Sequence, residues 1–345
     1  MNRALIEADR DLQPRNTLRL PGSAAWFALA GDADAIPDLL AWAREQGLAV
    51  MILGGGSNIV LRSGFQGLVL EIGLRERHWE IRDDHTALLT LGAGENWHQS
   101  VIHAASAGFR GLENLALIPG TAGAAPIQNI GAYGVELSRI LEDLQAWDRE
   151  QGRFRTLQPD ECGFAYRDSL FKRNPERFVI TRIRLRLARD KPFELGYGEL
   201  AAACAELDDP DSELTPLEVA ETVSNIRRRK LPDPAILPNA GSFFKNPLVD
   251  SATVESLRRD WPGLIAYPEG DHYKLAAGWL IEQCGWKGHR EAHVGVHSRQ
   301  ALVLIHHDGE GSGHELLELA ENIREDVRYR FQVNLEIEPR IVGND

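Results

Sequence analysis

Several short segments of this sequence set reactive side chains beside residues that bend the backbone. Phe164-Ala165-Tyr166-Arg167-Asp168-Ser169-Leu170-Phe171-Lys172 combines an aromatic ring, a guanidinium and a hydroxyl. A guanidinium grips a carboxylate through two parallel hydrogen bonds. The same residues would equally make a turn or the start of a surface helix capped by Asp168 or Ser169. Asn239-Ala240-Gly241-Ser242-Phe243-Phe244-Lys245-Asn246-Pro247 brings a hydroxyl to a bend of small residues, next to two aromatics, a lysine and an amide. It has no G-x-S-x-G, so a hydrolase elbow is not indicated, and a plain hydrophobic turn is the alternative. Arg227-Arg228-Arg229-Lys230 is a local basic cluster. The dipole of a helix ending there accounts for the three arginines as solvated cations, which leaves Lys230, beside the proline break, to face an anionic ligand. His289, His293 and His297 recur at i, i+4, i+8, a metal-binding pattern on a helix. Gly288, Gly295 and the ALVLI run that follows argue against a helix there, so no metal is expected. Free Cys284 reads as a small buried hydrophobe.

Two glycine-rich stretches must position such groups. Leu53-Gly54-Gly55-Gly56-Ser57-Asn58 follows an apolar run, and a glycine turn of this kind presents several N–H groups in one direction, a nest for phosphate oxygens. It is neither G-x-G-x-x-G nor a Walker loop, so a conventional dinucleotide domain is not supported; a glycine hairpin is the other reading. Gly111–Gly134, GLENLALIPGTAGAAPIQNIGAYG, carries Glu113 as its one charged side chain and repeats glycine at Gly111, Gly120, Gly123, Gly131 and Gly134. That composition describes sheltered, sharply turning backbone, either a buried turn assembly or main chain brought against something large and flat.

The bulk properties narrow the classes. At 345 residues, 43% hydrophobic and 26% charged, the chain has the length and composition of a soluble globular protein of two or three domains. The charged start, MNRALIEADRDLQPRN, is no signal peptide, and no apolar run approaches the roughly 20 residues that span a bilayer. A net charge of −13 argues against nucleic acid as partner. Cys162, Cys204 and Cys284 are odd in number and in no CxxC pattern, which argues against disulfides or structural zinc. A cytoplasmic monomer without membrane insertion is expected.

Periodicity gives the elements. Helices are expected at 34–47, 95–108, 217–230, 274–285 and 313–331, and strands at 48–61 on either side of the glycine turn, 67–72, 87–94, 177–188, 301–306 and 333–342. The irregular alternation implies α+β with several domains, and the best boundary lies near LPDPAILP at 231–238.

Taken in order, LGGGSNIVL, ENLALIPGTAGAAPIQNIGAYG, FAYRDSLFK, RRRKLPDP, NAGSFFKNP, KLAAGWLIEQCGWKG, VGVHSRQALVLIH and EIEPRIVG resemble the UDP-N-acetylenolpyruvoylglucosamine reductase family over most of the chain. GYGEL at 196–200 is similar to the tyrosine-bearing lid of the first of its two types. The resemblance implies an FAD-binding fold of the vanillyl-alcohol-oxidase type in two subdomains, 1–76 with 332–345 and 77–231, and a third α+β substrate domain, 232–331. It implies that non-covalent FAD relays hydride from NADPH to the enolpyruvyl group of UDP-N-acetylglucosamine enolpyruvate, giving UDP-N-acetylmuramate for peptidoglycan. Gly54, Gly55, Gly56, Ser57 and Asn58 would cradle the FAD pyrophosphate. Pro119, Gly120, Thr121 and Gly123, then Gln128, Asn129, Gly131, Ala132, Tyr133 and Gly134, would line the rest of the cofactor, with Arg340 near the flavin. Arg167, Ser242 and Glu338 would be catalytic, with Ser242 as proton donor and the other two acting on the enolpyruvyl carboxylate. Tyr197, Lys230 and Asn246 would hold the UDP phosphates, and Tyr166, Tyr267 and Gln300 would make further substrate contacts. EIEPR departs from the commoner EVR, so the choice of Glu338 over Glu336 rests on register. An ionised Glu338 would repel the substrate carboxylate, so a protonated one is expected in the closed site. The rivals are another flavin enzyme of the same fold, disfavoured because residues 53–61 hold no His or Cys to tether FAD, and a non-catalytic nucleotide-binding module.

Overall fold

The computed structural model describes residues 6–207 and 213–343 and divides into two units, 1–10 with 24–56 and 66–229, and 11–23 with 57–65 and 230–345. In the first unit, Ile36, Leu39, Leu40 and Ala43 fall on one helical stripe and are all buried, which makes Ala35–Glu45 an amphipathic helix. Its stripe packs with Leu68, Leu70 and Val50 of a four-stranded sheet ordered Ile6–Asp11, Ser23–Ala30, Phe65–Ile72, Ala49–Leu53. Ala49–Leu53 runs parallel to Phe65–Ile72.

A second sheet is antiparallel, ordered Arg153–Leu157, Leu141–Asp148, Phe178–Ala188, Thr86–Gly92, Arg77–Ile81. Phe178–Ala188 is central, so RFVITRIRLRLA is more buried than its alternating basic residues imply. Helices Trp97–Ser106 and Pro216–Lys230 share this sheet's core through Val101, Ala104, Val219, Val223 and Ile226. Asn96 caps the first of them by accepting from the Gln99 amide.

The second unit holds two three-stranded sheets, Asn239–Ser242, Val303–His306, Val294–Val296 and Leu248–Val249, His272–Leu275, Ala266–Glu269, and a parallel pair, Ile59–Leu61 with Arg340–Val342. Helix Gly313–Phe331 opens on a capping box made by Ser312 and Glu315. Its first residue must be glycine, because a Cβ at Gly313 would stand 1.9 Å from the Leu61 carbonyl oxygen.

The α+β class is as expected, and three local expectations change. The strands at 48–61 do not pair with each other, so the glycine turn is not a hairpin; Ala49–Leu53 and Ile59–Leu61 each find a different partner. The helix at 274–285 begins at Ala277, since Lys274 and Leu275 end the strand His272–Leu275. The strand at 333–342 shrinks to Arg340–Val342, because Pro339 has no N–H to give a ladder.

One buried charge ties the antiparallel sheet together. Asp148 is fully buried at the end of its strand and accepts from the amides of Glu150 and Gln151, from Arg177 at 2.9 and 3.2 Å, and from Arg155 at 3.4 Å. Arg177 first, then the two amides, hold its carboxyl down at about 2 against an ordinary 3.8. Asp148→Asn is expected to lower stability by ~2–3 kcal/mol at neutral pH. The native carboxyl's contribution is present above pH 3.8 and fades as pH falls through about 2, so urea curves for the two proteins should converge across that window. A gap that stays constant down to pH 2 would refute the assignment.

Candidate active site

The two glycine stretches meet within the first unit. A Cβ at Gly55 would lie 2.9 Å from the Gly120 Cα, and one at Gly54 would lie 2.7 Å from Thr121 Oγ1. Main chain therefore rests on main chain, which only glycine permits. Gly120 itself has φ +117°, and its carbonyl accepts from the Trp97 amide at 3.1 Å. Gly123 is pinned differently. Its amide donates to Ala93 O at 2.8 Å, and a Cβ there would meet the Ala93 Cβ at 2.5 Å. Its lack of a side chain is thus required by Ala93. Pro119 precedes this bend.

Downstream, Gly131–Ala132 and Val135–Glu136 form a short hairpin whose turn residues, Tyr133 and Gly134, have φ +47° and +83°. Positive φ at both positions is the geometry of a type I′ turn, which Gly134 accepts easily and Tyr133 only under strain. Asn114, fully buried, donates to Tyr133 O at 2.8 Å and helps hold it. Asn129 is buried as well, with its amide taken by Glu136, Ala165 O and the Ser138 amide, so it has main chain rather than side chain to offer a ligand. Gln128 ends the preceding 3-10 turn.

Arg167 lies beside this hairpin. Tyr166 and Arg167 form the tip of a turn closed by two hydrogen bonds between Ala165 and Asp168, both 3.1 Å, and Arg167 has φ +53°. Its guanidinium donates to Gly131 O at 2.8 Å, where a Cβ on Gly131 would stand 3.2 Å from Nη1. Ser169 is the helix cap allowed for in the sequence, accepting from the Phe171 and Lys172 amides at 3.2 Å. Tyr197, 54% exposed, stands edge-on to Tyr133 at 5.9 Å between ring centroids.

Arg227 is the residue that the sequence reading misplaced. It is no solvated cation at a helix end. Its Nε is buried with no hydrogen-bond partner, and burial first, then the charge of Arg167, pushes its pKa down, opposed by Tyr133. The signal was available: Val219, Ala220, Val223 and Ile226 trace the buried stripe of helix Pro216–Lys230, and Arg227, four residues after Val223, continues it.

In the second unit, Ser242 follows a break in register between Asn239 and Ser242, with Gly241 at φ +72°. Such a bulge re-aims the next side chain. Ser242 is half-buried, and among the described residues its Oγ has no hydrogen-bond partner. The segment carrying Glu338 lies alongside: Phe244 bridges Ile337, the Glu338 amide donates to Phe243 O at 2.9 Å, and the Lys245 amide to Glu336 O at 2.9 Å. Glu336 is exposed with its carboxylate paired to the Lys245 ammonium, whereas Glu338 is half-buried.

Ser57 lies one residue before Asn58, and the Arg340 amide donates to Asn58 O at 2.9 Å, so two of the expected cofactor segments adjoin. Asn246 Oδ1 accepts from the Ala277 amide at 2.9 Å, at the start of helix Ala277–Gln283. Gln300 Oε1 approaches the same helix at Gly278, 3.1 Å from where a Cβ would be. Tyr267, 51% exposed, lies on the strand Ala266–Glu269, and Lys230 is exposed at the end of its helix. His289, His293 and His297 do not form a triad, since Val294–Val296 is strand.

Residues 24–158 match the model of an FAD binding domain, and residues 233–342 that of the UDP-N-acetylenolpyruvoylglucosamine reductase C-terminal domain. A Pseudomonas putida protein named UDP-N-acetylenolpyruvoylglucosamine reductase is 46% identical over 331 residues, 96% of this chain and 97% of its own. A Ralstonia nicotianae protein of the same name is 47% identical over 346 residues, 98% of this chain and 100% of its own. The chain belongs to the UDP-N-acetylenolpyruvoylglucosamine reductase family. The crystal structure of a Thermus caldophilus reductase of this family shares the fold, with a TM-score of 0.66 at 24% identity and 98% of each chain covered.

The FAD that this family's fold implies suits the residues present. The Gly54–Gly55 cradle is one that any Cβ would fill, and it falls with Gly120 and Thr121 inside the matched FAD binding domain. Gly55→Ala should therefore keep its far-ultraviolet circular dichroism but hold flavin at least about tenfold more weakly, a loss of ~1.4 kcal/mol. The ratio of flavin to protein absorbance after gel filtration reads this out, and full retention would refute the cradle.

Proposed function

We propose that this chain performs the NADPH-dependent reduction of UDP-N-acetylglucosamine enolpyruvate to UDP-N-acetylmuramate in peptidoglycan precursor synthesis. FAD, when bound, supplies the hydride relay from NADPH to the enolpyruvyl β-carbon. The observation that carries the assignment of residues is Ser242, a half-buried hydroxyl set at a bulge without a partner of its own. Ser242 protonates the α-carbon, a task within reach of a weak acid because the carbon facing it has enolate character. Arg167 steadies the charge that builds on the carboxylate, and its fixed turn and bond to Gly131 hold the guanidinium in place before reaction. Arg227 adds a second positive centre to the same turn. Glu338 works protonated, because an ionised carboxyl would repel that of the substrate.

Lys230, Tyr197 and Asn246 hold the UDP phosphates, with Tyr166, Tyr267 and Gln300 completing the substrate contacts. The three-part division, 1–76 with 332–345, 77–231 and 232–331, belongs to this reading, as does a cytoplasmic monomer. Among the described residues no helix is long and apolar enough to cross a membrane, which is consistent with a soluble substrate. The absence of a Rossmann fingerprint supports one pocket used in turn by NADPH and the sugar nucleotide.

Purified protein should be yellow, bleach with NADPH and regain colour on adding the enolpyruvyl sugar nucleotide; a colourless protein would sink the reading. Ser242→Ala should stay yellow and bleach normally, yet lose product formation by ~10²–10⁴-fold. If bleaching fails to the same extent, Ser242 is structural. Glu338→Gln should flatten the alkaline limb of the rate–pH profile for carbon reduction. A limb unchanged by the substitution argues against a protonated Glu338.

A further inference from the structure

A second group of polar side chains in the second unit takes no part in the reduction. His306 ends the strand Val303–His306 and is fully buried. Its Nδ1 lies 2.8 Å from Leu18 O. A carbonyl only accepts, so Nδ1 carries a proton, and in the neutral ring Nε2 is a bare lone pair. That Nε2 is enclosed and has no hydrogen-bond partner. It faces Asp308 Oδ1 at 3.9 Å.

A buried lone pair opposite a carboxylate is a poor arrangement of two acceptors, unless something positive belongs with them. The other oxygen of Asp308 is 2.9 Å from Nδ1 of His293, the residue before strand Val294–Val296. Glu310 completes the set: ligand-capable atoms of His293, Asp308 and Glu310 all lie within 4.8 Å of one another. The backbone is built around this spot. The His307 amide donates to His293 O at 2.7 Å, which fixes the two strands carrying the imidazoles. Gly311 lacks the Cβ that would stand 2.5 Å from His293 Cβ and 3.0 Å from His306 Nε2.

We propose that His293, His306, Asp308 and Glu310 form a binding site for a divalent transition cation of the zinc class. Two imidazoles and two carboxylates are a mixed nitrogen and oxygen donor set that suits zinc, whereas magnesium and calcium take oxygen alone. Two carboxylates also balance the charge of one divalent ion. The Nδ1–H bond from His306 to Leu18 O is the outer contact that fixes tautomer and ring orientation in histidine ligands. With four protein ligands the site is a structural clasp, joining the end of strand Val303–His306 and the turn before helix Gly313–Phe331 to the start of strand Val294–Val296. His307 is not part of it, since its Nε2 lies against Gly295. His289 and His297, which the sequence grouped with His293, are not part of it either.

The test uses the full-length, flavin-loaded protein after dialysis against a chelator. Zinc chloride titrated into it calorimetrically should bind at one ion per chain and raise the melting temperature, while magnesium chloride at the same concentration should do neither. His293→Gln and Glu310→Gln, at exposed or half-buried positions, should each weaken zinc binding by ~10–100-fold or more with reductase turnover unchanged. His306→Asn should weaken it further, and the two outer variants keep the test valid if that protein fails to fold. Absence of uptake by the parent protein, uptake unaltered in His293→Gln and Glu310→Gln, or equal uptake of magnesium would each overturn the proposal. Turnover depends on different residues, so loss of reductase activity would leave this outcome readable.

Discussion

The first unit depends on two stretches of backbone lying closer together than any side chain allows. Gly54 and Gly55 approach Gly120 and Thr121 at distances that a single methyl group would violate. That contact explains why charge is missing from both loops, since solvated side chains have no room there. It also explains how the neighbouring elements are anchored. The Gly120 carbonyl receives the first amide of helix Trp97–Ser106, and the Gly123 amide reaches Ala93 just beyond strand Thr86–Gly92. A ligand that binds main-chain N–H groups needs such a bed, and the bed exists only because Gly54 and Gly55 lack a Cβ.

Buried charge in this protein follows two patterns. Asp148 is surrounded by donors, from two amides and two guanidiniums, and is a structural tie. Arg227 is half-buried, yet its Nε is enclosed with no hydrogen-bond partner among the described residues, and a neighbouring charge is another cation, Arg167. Arg167 and Tyr133 both sit in strained backbone at this turn, and strain of this kind concentrates where ligands are clamped.

Much of this was legible in the sequence because it is written in local chemistry. Helix Gly313–Phe331 has the bounds that its stripe predicts, and its capping box sits where a Ser and a Glu stand three apart. The α+β class, both glycine loops, the turn bearing Arg167 and the bend bearing Ser242 were read from residue types alone. Pairing was not legible, because strand partners are chosen by distant segments: nothing near Ile59–Leu61 says that it will join Arg340–Val342. The fate of Arg227 was hidden by its neighbours, for Arg228 and Arg229 are exposed and their solvation was extended to it. Asn129 was placed along the cofactor by resemblance alone, and nothing in its residue type showed that three protein groups would occupy its side chain. Glu338 and Glu336 were inseparable by spacing; in the fold Glu336 is exposed and paired with Lys245, whereas Glu338 is half-buried.

The pairing of Ile59–Leu61 with Arg340–Val342 has a bearing on how the chain is born. The second unit draws on residues 11–23, 57–65 and 230–345, and the two strands of its parallel pair come from segments far apart in the chain. Residues 59–61 leave the ribosome and then wait, without their ladder partner, until residues 340–342 have been made. The first unit has no such delay, since its segments end at residue 229. Assembly in the cell is therefore ordered: the glycine bed can form as soon as its own segments are made, but the unit carrying Ser242 and Glu338 completes its parallel pair only once residue 342 has been made.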